Sequence, residues 1–434
     1  MMSELLPPGP VALRAFGGAD TLEALERARG RHGDLVRIAG PRGEVWLVAD
    51  PAMARAVLAD RPEDFGKGAP PRPGRGLHGV LGSGLLTTGS EPQRLRRRLL
   101  LQRAFTRERV DALAPAVASA TASRLARWLD GEVPATTLDV YPELEALAAE
   151  TLQRLLFGRV LEAPSRLRLP LAMGVAGAAE ARAARARVDA VVREEIARRS
   201  RLPLPGGVED VLGLLSAGSE AGEIDERGVL DEMATLVLAG VETTASASAF
   251  ALALLARSPR NQQGAAEEVD RVLQGGLPTA ARLRRLPRVD AVLDEALRLF
   301  PAIPSAPRLA LRDSLLGGTL VPAGTRLLVS IHVLHRHPHH WRAPAAFRPE
   351  RFLDGAPGTR SAYLPFGAGG RLCIGRELAR LQGRVVIASA LQRLRLEPVD
   401  GERLGRRVAV GLTPERGTRL RMRARAVAGW RSRG

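Results

Sequence analysis

The chain has 434 residues, 45% of them apolar, which excludes wholesale disorder, and its single cysteine, Cys373, excludes an internal disulfide and any all-cysteine metal site. Aromatic residues make up only 3%, too few to supply a stacking platform for single-stranded nucleic acid. The formal charge of +17 could mark a nucleic-acid or anionic-membrane binder, but it is almost all arginine spread along the chain, with Lys67 the only lysine. Abundant Ala, Gly, Arg and Pro make the coding bias of a GC-rich genome the simpler reading.

Met1 to Gly18 reads as a Pro/Gly-rich N-terminal segment, without the basic-then-apolar order of a signal peptide. Helical spacing follows from Leu22 to Arg29, then short strands at Leu35–Ile38 and Val45–Val48 around a turn at 40–43. Pro51 opens a helix at its first turn, and Gly66–Gly82 reads as a long loop. From Pro92 to about Arg201 the spacing is helical, with breaks near 131–134 and 158–164. Ile224–Arg257 has no proline, and its spacing predicts one long helix, apolar on every face around Leu236–Val241 and so central to the core. A helix at Arg288–Phe300 stops at Pro301, strands fill Arg308–Ile331, and Pro338–Gly370 is mostly loop. A last long helix is predicted from about Cys373 to Leu394, followed by short strands. The spacing predicts one large, mainly α domain with small β-sheets, spanning residues 1–434. No apolar run reaches the roughly 18 residues of a membrane-spanning helix, so a cytoplasmic protein without a membrane anchor is expected.

The sharpest feature is Phe366-Gly367-Ala368-Gly369-Gly370-Arg371-Leu372-Cys373-Ile374-Gly375. A lone thiol is most often a buried, inert one. Here glycines let backbone approach a flat ligand without Cβ clashes, Gly375 lets the chain pass beneath the sulfur, and the helix predicted from Cys373 favours a thiolate at its N-terminus. That combination suits a metal ligand or a nucleophile. A dinucleotide phosphate loop fits less well, because Leu372 stands where a third glycine is needed.

The pattern Phe-x-x-Gly-x-Arg-x-Cys-x-Gly resembles the haem-binding signature of the cytochromes P-450. The resemblance covers nearly the whole chain and implies their fold, haem b (iron protoporphyrin IX), O2 as co-substrate and monooxygenase chemistry. It implies Cys373 as axial ligand to the haem iron, and Arg371 as partner of a haem propionate. Arg97 and Arg308 resemble further propionate arginines. Gln93 stands where the family often has Trp or His, four residues before Arg97. The alternative for Arg94, Arg96, Arg97 and Arg98 is a solvated basic face.

Glu295 and Arg298 share one helix face and can pair. They match the family's Glu-x-x-Arg motif, and Pro349-Glu350-Arg351-Phe352 resembles the element that supplies the third member, Arg351. The implied triad would fix the loop leading to Cys373.

Ala239-Gly240-Val241-Glu242-Thr243-Thr244 places polar groups in the middle of an apolar helix. A locally satisfied kink is one reading, since Thr can bond a preceding carbonyl. The sequence also resembles the family's acid–alcohol pair. That implies Thr243 hydrogen-bonding near bound dioxygen and Glu242 connecting it to solvent protons, with Thr244 beside them. Leu236, Val237, Ala239, Gly240, Ala302, Ile303, Pro304, Leu412 and Thr413 are the expected substrate lining. They carry no charged anchor, which favours an isoprenoid, carotenoid or fatty-acyl-like substrate.

His332, His335, His337, His339 and His340 cluster without an interleaved carboxylate or cysteine, which argues against zinc. His335-Arg336-His337-Pro338 resembles the family's His-Arg-Asp-Pro turn. The chain ends soon after the last strands, so no reductase domain is expected to be fused. Electrons from NAD(P)H would come through a separate ferredoxin or flavodoxin, docked by charges such as Arg376, Arg380 and Arg96 or Arg98. The rivals are an H2O2-dependent peroxygenase on the same fold, against which Glu242 and Thr243 argue, a non-catalytic haem-thiolate sensor, and a basic nucleic-acid binder.

Overall fold

The computed structural model describes residues 6–12, 19–40, 43–68, 76–129, 136–162, 169, 178–202, 210–353 and 359–425. The chain forms two compact units, one of residues 1–70, 295–373 and 406–413 and one of residues 71–294, 374–405 and 414–434. The expected breaks at 131–134 and 163–164, and much of the N-terminal segment, lie outside the described residues.

The first unit is built on a six-stranded sheet in the order Val11–Ala12, Leu35–Gly40, Gly43–Val48, Arg326–Val329, Ala306–Ala310, Phe65–Gly66. Leu35–Gly40 and Gly43–Val48 pair antiparallel, Leu35 opposite Val48, and Gly43–Val48 runs parallel to Arg326–Val329. Side chains alternate across the pleat. Leu35, Trp46 and Val48 pack on one face with Val57, Leu327 and Val329. Val36, Ile38 and Leu47 pack on the other, under Leu25 and Ala28 of the helix Ala19–His32. Both faces are therefore buried, and these strands are apolar on both sides. Asp50 caps the helix that Pro51 opens, accepting the Met53 N–H at 2.7 Å.

The second unit is mostly helical, with a three-stranded sheet of Leu394–Pro398, Arg419–Ala424 and Thr136–Asp139. Thr136–Asp139 falls in a stretch whose spacing reads as helix; its backbone partners come from the far end of the chain, Arg419 pairing with Asp139. The expected single helix is two, Glu226–Gly240 and Glu242–Ala256, broken at Val241 (φ −90°, ψ −71°). Together the stretch Glu226–Ala256 has the length and mean hydropathy (1.5) of a membrane span, more than the sequence reading allowed, but 72% of its apolar window is buried inside the protein. The last long helix runs Arg376–Arg393 and starts three residues later than expected, so Cys373 precedes it.

The Gly66–Gly82 stretch contains a helix, Gly76–Leu81, closed by Gly82 in the left-handed region (φ +59°). The segment after it sits on two adjacent buried acids of Glu226–Gly240. Asp231 accepts the Ser83 N–H at 2.9 Å and Arg185 Nη2 at 2.8 Å; Glu232 accepts the Leu85 N–H at 3.0 Å and Arg97 Nη1 at 3.0 Å. A Cβ at Gly82 would lie 2.1 Å from an Asp231 oxygen, and one at Gly84 would lie 2.1 Å from Thr235 Oγ1, so only glycine permits this approach. Arg185 also reaches Asp189 at 2.6 Å and the Val80 carbonyl at 2.6 Å. One acidic dipeptide thus ties three chain segments to the central helix.

Glu232 is fully buried, and this burial outweighs Arg97 and the Leu85 N–H, pushing its carboxyl up to about 6. A folded-state value above the ordinary 4.5 means that folding favours the protonated form. The stability this gives is present below the unfolded value and is lost as pH rises through about 6. Glu232→Gln removes the titration. The stability of the variant relative to wild type is therefore expected to rise by about 2 kcal/mol between acid and neutral pH. Thermal unfolding across that range checks this; a flat difference would mean that Glu232 does not titrate above its ordinary range.

Candidate functional site

In the first unit, the end of the helix Pro287–Leu299 carries a buried ion cluster. Glu295 and Arg298 are both 0% exposed and meet in a fork, Nε to Oε2 at 2.7 Å and Nη2 to Oε1 at 2.8 Å. Arg351 Nε adds a contact at 3.1 Å, and the Arg348 N–H donates to Oε1 at 2.8 Å. Arg298 Nη1 donates to the carbonyls of His335 (2.8 Å) and Pro344 (2.7 Å), and Nη2 to Ala346 (3.1 Å). All five guanidinium N–H groups of Arg298 thus have acceptors, which the three donors of a lysine could not match. Both arginines lie against the Trp341 ring, at 5.1 Å and 5.8 Å, and the indole N–H donates to the Leu334 carbonyl. The sequence offered no signal for this aromatic support beyond an isolated Trp.

The cysteine-bearing loop follows. The Leu364 N–H donates to His335 Nε2 at 2.9 Å, the Gly367 N–H to the Leu364 carbonyl at 3.0 Å, and the Cys373 N–H to the Phe366 carbonyl at 3.0 Å. Gly367 (φ +75°) and Gly369 (φ +68°) are left-handed. A Cβ on Gly369 would also lie 2.4 Å from the Leu58 carbonyl oxygen. Gly375 is different: its φ is −84° and its nearest side-chain neighbour would be Phe105 at 3.8 Å, so nothing in the described residues demands glycine there. Cys373 is exposed and in no disulfide, and Phe366 and Arg371 are partly buried.

In the second unit, the centre of the long helical stretch is open where its flanks are not. Ala239 is exposed and Gly240, Val241 and Thr243 are partly exposed, whereas Leu236, Val237 and Leu238 are buried. Thr243 Oγ1 donates to the Ala239 carbonyl at 2.6 Å, across the break at Val241; Glu242 and Thr244 are buried. Of the expected substrate lining, Ala239, Gly240, Ala302 and Ile303 retain open surface. Leu236, Val237, Pro304, Leu412 and Thr413 are packed into the protein, Leu412 donating its N–H to the Ala302 carbonyl at 2.8 Å.

Several arginines have partners that the sequence did not reveal. Arg97 is bound to Glu232 and to the Ser83 carbonyl; withdrawing it would strand a buried carboxylate. Gln93 accepts from Thr88 Oγ1 at 2.9 Å. Arg94 is buried and paired with Glu91 at 2.5 Å, so the solvated basic face reduces to exposed Arg96 and partly buried Arg98. Arg308 Nη1 donates to the Pro307 carbonyl at 2.9 Å. Arg380 grips Asp294 at 2.5 Å and is not available for docking as expected, whereas Arg376 is exposed beside Glu377.

The histidines serve separate partners. His332 Nε2 meets Glu26 at 2.6 Å and His337 Nε2 meets Asp34 at 3.1 Å, with an Arg29 nitrogen also on His337 Nε2. Among the described residues no group of His, Cys, Asp and Glu could hold a metal ion by itself. An exposed thiol after a loop with two left-handed glycines instead fits a metal delivered in a flat prosthetic group.

The cytochrome P-450 family model matches residues 180–418. A cyclooctat-9-en-7-ol 5-monooxygenase of Streptomyces melanosporofaciens is 34% identical over 86% of this chain and 84% of its own length. The chain belongs to the cytochrome P-450 family. A pentalenene oxygenase of Streptomyces avermitilis is 29% identical over 91% of each chain. A solved haem domain of another cytochrome P-450 superposes with a TM-score of 0.81, at 26% identity over 94% of each chain. This P-450 is accordingly an oxidoreductase of the monooxygenase type, working with haem, dioxygen and a redox partner.

Removing one partner of a buried pair typically costs about 3–5 kcal/mol. Glu295→Gln and Arg298→Lys are both expected to lose stability on that scale, because lysine keeps the charge and loses the fork. Denaturant unfolding checks this. Wild-type stability in Arg298→Lys would show that charge alone suffices.

Proposed function

We propose that this enzyme inserts one oxygen atom of O2 into a cyclic terpenoid. It would work in the cytoplasm with electrons from NAD(P)H delivered by a separate ferredoxin or flavodoxin. Support for the substrate class comes from the relatives named for cyclooctat-9-en-7-ol and pentalenene. The observation that carries it here is the uncovered Ala239 and Gly240 at the break in the long helical stretch, small, apolar and without a charged anchor. Such a lining binds a hydrocarbon by area and shape rather than by ion pairing.

Haem, when bound, supplies the reductive activation of dioxygen. Cys373 would hold the haem iron through its thiolate, and Arg371 and Arg308 would hold the propionates. Arg97, held through Nη1 by Glu232 and the Ser83 carbonyl, would be the residue of the second unit to meet a propionate. Phe366, Gly367 and Gly369 shape the loop that presents the sulfur. Ala239 and Gly240 keep side-chain bulk away from the reacting face. Thr243 holds its proton on the Ala239 carbonyl and keeps its oxygen free to accept from a water. Glu242, a buried acid one residue before it, is the group to pass protons inward. Exposed Arg96 and Arg376 are the charges to steer an acidic donor protein. A peroxygenase would have no use for the Glu242–Thr243 pair.

Thr243→Ala is expected to bind haem normally and to consume electrons in a reconstituted system, but to release H2O2 in place of hydroxylated terpene. Product, electron and peroxide balances check this. Unchanged coupling would reduce Thr243 to a kink residue. A ferric spin-state shift with long-chain fatty acids and none with cyclic diterpenes would overturn the substrate class.

A further inference from the structure

His335 follows the short helix Ile331–Leu334 and is fully buried. Both ring nitrogens are committed. Nδ1 lies 3.2 Å from the Arg298 carbonyl oxygen, which can only accept, so Nδ1 carries the proton. Nε2 lies 2.9 Å from the Leu364 backbone N–H, which can only donate, so Nε2 is bare. The two partners together define one neutral tautomer. Burial, and then the Arg298 guanidinium, push the ring's pKa well below the usual histidine value, in keeping with that form. The plane is held by Tyr363 and Trp341, ring centroids 5.3 Å and 6.4 Å away, and the His335 carbonyl itself takes an Arg298 N–H.

Arg298 belongs to the ion clamp; Leu364 opens the loop that ends at Cys373. The next bond along the loop joins Gly367 to the Leu364 carbonyl, and a later one joins Cys373 to Phe366. We infer that His335 is a positioning residue for the Cys373 thiolate: its uncharged ring couples the Glu295–Arg298–Arg351 clamp to the loop Leu364–Cys373. The inference rests on the haem-thiolate reading of Cys373. A histidine that merely filled the core could be replaced by any planar ring. A coupling residue needs the acceptor at Nε2, because without it the Leu364 N–H is left unbonded and the loop is free to shift at the sulfur.

Three substitutions separate these roles in the haem-loaded protein. His335→Gln keeps an acceptor near the Nε2 position. His335→Asn keeps only a donor near Nδ1. His335→Phe keeps the plane and neither bond. The readouts are the reduced carbon-monoxide spectrum, the haem midpoint potential and the melting temperature. His335→Gln is expected to keep the red-shifted Soret band and the wild-type potential. His335→Asn and His335→Phe are expected to lose most of that band to the blue-shifted form of a protonated thiol, with a displaced potential, even where melting matches the Gln variant. If His335→Phe does not fold, the comparison of Gln with Asn decides, since each retains one polar arm. A wild-type band and potential in His335→Asn or His335→Phe would overturn the inference. So would band loss that only follows melting temperature across the series. Cys373→Ala measured alongside keeps the two readings apart: a red-shifted band surviving there overturns the thiolate reading and the inference with it, whereas band loss there beside a wild-type band in the Asn or Phe variant overturns the inference alone.

Discussion

A carboxylate with no solvent exposure is tolerable only if its charge is met from several sides, and Glu295 is met by two guanidinium groups and a backbone N–H. The arrangement does more than neutralise. Arg298 uses every donor it has, and three of its acceptors are backbone carbonyls at His335, Pro344 and Ala346. Those carbonyls lie in an irregular stretch that lacks regular hydrogen-bond ladders of its own. The clamp thus replaces secondary structure where the chain has none, and hands a fixed geometry to the loop that ends at Cys373. Gly367 and Gly369 complete it by allowing backbone conformations closed to other residues.

The catalytic residues proposed in the second unit depend on a different device. A long helical stretch, buried for most of its length, breaks at Val241 and leaves Ala239, Gly240 and Thr243 uncovered. The Thr243–Ala239 bond is compatible with both a kink and the proposed role of the hydroxyl, since the hydrogen bond formed at the break also orients the hydroxyl. Upstream, Asp231 and Glu232 anchor the Gly82–Leu85 segment to the same stretch at the expense of burying two acids.

What was legible in the sequence were short-range patterns whose chemistry is local. The cysteine loop, the Glu295–Arg298 spacing and the apolar run around Leu236 could each be read from residue type and interval. The resemblance to the family followed from those motifs. What was not legible depends on partners distant in sequence. Arg97 looks like any arginine until Glu232 faces it, and Arg380 looks like a docking charge until Asp294 does. Thr136–Asp139 reads as helix because its strand partner lies almost at the other end of the chain. The histidine run drew attention as a possible metal site because sequence shows proximity without direction; in the fold His332, His335 and His337 bond to three different elements. The last helix starts three residues after the position its spacing predicts, because the cysteine loop runs straight into it without a capping side chain.

The account stands on Cys373 as a thiolate ligand to haem iron. The direct measurement is the difference spectrum of the dithionite-reduced protein with carbon monoxide, on wild type and Cys373→Ala in parallel. The account predicts a strongly red-shifted Soret band in wild type and its complete loss in the variant. A wild type without that band, or a variant that retains it, would contradict the account at its root.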